Sequence, residues 1–165
     1  MNVVADSSPL IILAKLHVFD LLPKLYPHIY VSAEVYDEVV VAGAGLPGAA
    51  SVATAQWIEV KPIRNQAELA AAETKFGIGA GELSTIILAK ELKAEIALID
   101  DLRARRLARS EGVEVRGAVG LLELLYRRGE ISDLRSMFQQ LLSHTVYIDR
   151  TLLNRRLVLF GLPPL

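Results

Sequence analysis

Asp6, Glu38, Glu82 and the pair Asp100-Asp101 are acids placed where an apolar run ends or a helix begins. They lie in VVADSSP, SAEVYDEVV, GIGAGELSTI and IALIDDLRARR. In a chain whose residues are 52% hydrophobic, acids at such places are candidates for one shared site. Converging carboxylates repel one another, and the usual compensator is a hard divalent cation, Mg2+ or Mn2+, which takes oxygen ligands. Metal-assisted phosphodiester chemistry is therefore the leading expectation. The chain has no cysteine, which excludes disulfides, zinc-thiolate sites and cysteine nucleophiles. His17, His28 and His144 show no ligand-like spacing, so a histidine-rich zinc site is not expected.

The elements that must position these acids can be read from the apolar pattern. Short apolar runs at 3–5, 29–31, 57–60, 95–99 and 113–115 predict strands. Helical stretches are expected at 10–16, 18–25, 32–41, 49–55, 66–76, 82–92, 101–110 and 118–127, with two more at 131–142 and 151–160. Ser7-Ser8-Pro9 reads as a helix start with a hydroxyl cap, and Ser32 as the cap of the helix that carries Glu38. Strands alternating with helices argue for an α/β fold, a three-layer α/β/α arrangement with a central parallel sheet and extra C-terminal helices. In such sheets ligands bind beyond the carboxyl ends of the strands. Asp6 and Asp100-Asp101 belong at that edge, while Glu38 and Glu82 must overhang it from helices. Glu34 and Asp37, on the helix of Glu38, read as a solvated face.

The 165 residues suit one domain, with a core over about 1–130 and a helical extension over 131–165. PLIILA is too short to span a bilayer and lacks a basic segment before it, so a soluble cytoplasmic protein without membrane association is expected. GIGAG echoes a dinucleotide loop, but a predicted helix precedes it where that motif needs a strand. The net charge is −1, so any nucleic-acid contact must come from a local basic face. Arg103, Arg105, Arg106 and Arg109 form such a face directly after the acid pair. Its bland reading is a solvated helix; its functional reading is a grip on the RNA backbone.

VVADSSPLI, EVYDEV, GAGE at a helix start and LIDDLRAR after a strand together resemble the PIN-domain family, and most closely its VapC-like toxin ribonucleases and related uncharacterised branch. The resemblance covers roughly residues 1–130. It implies a Mg2+- or Mn2+-dependent endoribonuclease, with an antitoxin as cognate partner and homodimerisation as a common state. Carried across, the metal-holding acids are Asp6, Glu82 and Asp100 or Asp101, with Glu38 as the helix acid. Ser8 is then the hydroxyl neighbour of Asp6. Family members usually carry Thr or Ser, one residue, then Asp after this strand; Ile99 stands at the hydroxyl position if Asp101 is the match. Glu82 stands where many members carry Asp. The rival expectation is a catalytically inactive PIN-like module that binds RNA or a protein partner.

Overall fold

The computed structural model describes residues 1–145 and 148–165. The strands are β1 (Val3–Ala5), β2 (Ile29–Ser32), β3 (Ile58–Lys61), β4 (Ile96–Leu98) and β5 (Val115–Arg116). They form one parallel sheet in the order β3-β2-β1-β4-β5. The chain winds outward from β1 to β3, then crosses back to lay β4 on the other side of β1. The strand order therefore reverses between β1 and β4, and such a switch point opens a crevice at the carboxyl ends of the strands.

Alternation along each strand feeds two cores. Val3, Ala5, Ile96 and Leu98 point into one, where Leu10, Leu13, Leu121, Leu122 and Phe138 pack. Val4, Ala97 and Ile99 point into the other, against Leu83, Ile86, Ala104 and Ala108. The first layer holds α1 (Ser7–Lys15), α2 (Leu22–Leu25), α8 (Ala118–Arg127), α9 (Leu134–His144) and α10 (Arg150–Leu159). The second holds α5 (Gln66–Phe76), α6 (Ala80–Glu91) and α7 (Leu102–Ser110). This is the expected three-layer α/β/α arrangement. α3 (Ala33–Tyr36) follows β2, and α4 (Ala49–Thr54) precedes β3. Among the described residues no helix is long and apolar enough to cross a membrane.

Several local expectations are corrected. The first helix starts at Ser7, not at residue 10, because Asp6 rather than a serine hydroxyl caps it. α6 starts at Ala80, ahead of Glu82, and α9 starts at Leu134, where Asp133 caps it. α3 does not run on as an ordinary α-helix: it widens into a π-helical turn over Asp37–Ala42. Gly43 closes that turn, and a methyl group there would lie 2.5 Å from the Val39 carbonyl oxygen. Glu34 is not a surface acid either. It is half-buried, Gln66 Nε2 donates to its Oε1 at 3.3 Å, and its Oε2 is buried without a partner. Asp37 is exposed.

Candidate active site

β1 delivers Asp6 and β4, through Ile99, delivers Asp100, so the switch point places two carboxylates side by side. The Asp6 N–H donates to the Leu98 carbonyl at 2.9 Å, and the Ile99 N–H donates to the Arg116 carbonyl at 3.0 Å, which fixes both strand ends. Asp6 is 2% exposed. Its Oδ1 accepts from the Ser7 N–H at 2.8 Å and the Ser7 hydroxyl at 3.4 Å. Those two donors both belong to Ser7, and Ser8 sits half-buried on the same turn.

A buried hydroxyl network brings in the two helix acids. The Ser32 Oγ accepts the Val35 N–H at 3.0 Å, starting α3, and lies 2.7 Å from the Ser84 Oγ. Ser84 and Thr85 both donate to the Gly81 carbonyl at 2.9 Å. The helix carrying Glu38 is thus pinned to the first turn of α6, which carries Glu82. A methyl group at Gly81 would lie 2.6 Å from Glu38 Oε2 and 3.5 Å from Asp6 Oδ1, so Glu38 occupies room that only glycine leaves. Glu82 folds back over the helix start, its Oε2 where a methyl group at Gly79 would come within 2.7 Å.

The adjacent acids of the 100–101 pair face opposite ways. Asp101 is exposed and caps α7, its Oδ1 accepting the Ala104 N–H at 2.8 Å. Asp100 turns inward: its Oδ1 accepts the Ala118 N–H at 2.7 Å, while its Oδ2 is buried with no partner. The structure therefore brings together Asp6, Glu38, Glu82 and Asp100 and leaves Asp101 outside the group. Of the basic face, Arg103 is engaged elsewhere, its Nη2 donating to the Phe76 carbonyl at 2.7 Å. Arg106 and Arg109 are exposed, and Arg105 is half-buried beside Asp100.

The electrostatics follow from this crowding. Burial foremost, then the Glu82 charge, push the Asp6 carboxyl up to about 7; Glu38 and Asp100 push the same way, and the Ser7 N–H opposes them. Burial also raises Asp100, against the Ala118 N–H and the Arg105 charge. Among the described residues no three carboxylate or imidazole side chains close into a ready-made metal cluster. The donor set nonetheless suits a hard cation: it is all carboxylate, one oxygen of Asp100 is buried and unpaired, and Asp6 is destabilised as an anion.

Ser84 and Thr85 shape the site without being among its expected residues. Their signal was present in GELST, a glycine followed at three and four residues by hydroxyls on one helix face. No curated protein matches the chain. A family profile described as a PIN domain matches residues 2–161. PIN domains are generally nucleases and typically use divalent metals. With that match spanning nearly the whole sequence, the chain belongs to the PIN-domain family.

Proposed function

We propose that this PIN domain is a Mg2+- or Mn2+-dependent endoribonuclease and the toxin of a toxin–antitoxin pair. The observation that carries this reading is the meeting of Asp6, Glu38, Glu82 and Asp100 at the sheet's switch point. Asp6, Glu82 and Asp100 would hold the cation, with Glu38 completing the set directly or through water. When bound, the cation supplies charge neutralisation at the phosphate and lowers the pKa of a coordinated water.

The remaining work falls to the chain's own groups. Asp6 must release its proton to act as a ligand, so metal loading competes with protonation near pH 7. The Ala118 N–H holds one oxygen of Asp100 and leaves the other free. The Ser32–Ser84 hydroxyl pair keeps the helices of Glu38 and Glu82 in register. The arginines of α7 offer a basic flank to the RNA backbone.

The test is cleavage of total RNA by the full chain with Mg2+, with Mn2+ and with EDTA, beside the Asp6→Asn variant. Cleavage that needs the metal and falls at least ~100-fold in the variant is the expected result. Full activity in Asp6→Asn would sink the assignment. Absence of saturable Mn2+ binding by calorimetry would favour the inactive module instead. A small reading frame beside this one, whose product blocks cleavage, is expected for a toxin.

A further inference from the structure

The four arginines of the basic stretch are not equivalent. Arg103 is tied to Phe76, and Arg106 and Arg109 stand in solvent. Arg105 is half-buried; its Nε is buried and has no hydrogen-bond partner. A methyl group at Gly117 would collide with Arg105 Nη1 and lie 2.8 Å from Asp100 Oδ1. Both side chains therefore occupy the space that the missing side chain at 117 leaves.

Opposite charges so placed would ordinarily pair, yet no ion pair joins Arg105 to Asp100 among the described residues. Asp100 Oδ1 is committed to the Ala118 N–H, and Asp100 Oδ2 is itself buried and unpaired. A buried donor, Arg105 Nε, and a buried acceptor, Asp100 Oδ2, are thus left open on two side chains that both reach Gly117. Native proteins rarely leave such groups unsatisfied: an ordered water, an ion or a ligand group completes them. The acceptor suits a cation; the donor, on a planar guanidinium, suits an oxyanion. An anion arriving at a cluster of four acids also needs a local positive charge to offset their field.

We propose that Arg105 is a phosphate-binding residue of the site, holding a non-bridging oxygen of the RNA phosphodiester next to Asp100, with Gly117 leaving the room that lets Arg105 lie beside that acid. The identity of the polyanion rests on the ribonuclease reading; the phosphate site itself does not.

The experiment measures binding of a fluorescein-labelled single-stranded oligoribonucleotide by anisotropy, across a salt series, to the full chain carrying Asp6→Asn. Adding Arg105→Gln should weaken binding about tenfold or more and lower the salt slope by about one. Arg106→Gln and Arg109→Gln should each weaken it several-fold less. Arg105→Lys, which keeps the charge but loses the planar fork, should fall between parent and Arg105→Gln. Inorganic phosphate should compete with the oligonucleotide in the parent and less in Arg105→Gln. Mn2+ affinity, measured with Asp6 intact, should be no weaker in Arg105→Gln. Equal weakening by all three glutamine variants would reduce Arg105 to one charge of a diffuse face and overturn the proposal. Weaker Mn2+ binding with unchanged oligonucleotide binding would make it a positioning residue for Asp100 and overturn it too. If Arg105→Gln does not fold, the Arg105→Lys comparison decides. Arg105-dependent binding without any metal-dependent cleavage by the unsubstituted chain would leave the phosphate site standing and remove the ribonuclease reading.

Discussion

At Asp6 the requirements of folding and of the proposed chemistry oppose each other. In the unfolded chain the carboxyl titrates near 3.8, and in the folded chain at about 7. Between those values the folded state holds a proton that the unfolded state lacks, so stability falls as pH rises. Above about 7 both states are ionised and the loss is complete, with an upper bound of roughly 4 kcal/mol at about 1.36 kcal/mol per unit. Asparagine has the shape of the acid, keeps an oxygen for the Ser7 N–H, and carries no charge. In EDTA at pH 8, Asp6→Asn should therefore melt above the parent chain. The gap should narrow through pH 6 and close near pH 4. Equal stability at pH 8 would show that the charge of Asp6 is not buried as described. The same scale explains why the 100–101 pair was unreadable in the sequence. Adjacent acids between a strand and a helix are chemically alike. The bond that separates them comes from the Ala118 N–H, a tertiary partner 18 residues away, and no local pattern encodes it.

At the scale of elements, the stretch from the end of α5 into α6 gives three glycines three duties. Gly77, at φ 60°, ends α5 in the left-handed region, and Gly79 starts α6. Gly81 lies inside the helix, where alanine would ordinarily be favoured by about 1 kcal/mol. Its obstacle is the flexible end of Glu38, at 2.6 Å, rather than backbone. Gly81→Ala should therefore fold normally, with an unchanged or slightly higher melting temperature, while displacing Glu38 from the site. Mn2+ affinity and RNA cleavage should each fall about tenfold or more. A variant that melts early would mean that the glycine serves packing alone. The strands after which Asp6 and Asp100 follow were legible because short apolar runs ending in an acid are a strong local signal. The π-helical turn of Glu38 was not. EVYDEVVVA has an ordinary helical pattern, and nothing local in it marks the wider turn of a segment that packs against α4 and α1.

For the molecule as a whole, α9 and α10 are bound into the same core as the sheet. Phe138, Leu141, Leu153 and Leu157 are fully buried in company with Leu10 and Leu13 of α1. The polar tie is between Glu123 on α8, 7% exposed, and Arg156 on α10. Arg156 donates to both carboxylate oxygens of Glu123, at 2.6 and 3.0 Å. α8 thus serves two ends of the protein: its first N–H holds Asp100, and its middle anchors α10. The sequence does not pair Arg156 with Glu123, because the two lie 33 residues apart. Arg156→Leu would leave the Glu123 carboxylate buried without a partner. The side chain of Arg156 is 35% exposed, so water screens part of the pair. The expected cost is then about 2–3 kcal/mol at pH 7.5, below the usual penalty for a fully buried pair. Replacing both residues by leucine removes the stranded charge and should recover most of that loss. Urea denaturation of the two single variants and the double variant measures it. A double variant no more stable than Arg156→Leu would mean that the ion pair contributes through geometry that leucines cannot replace.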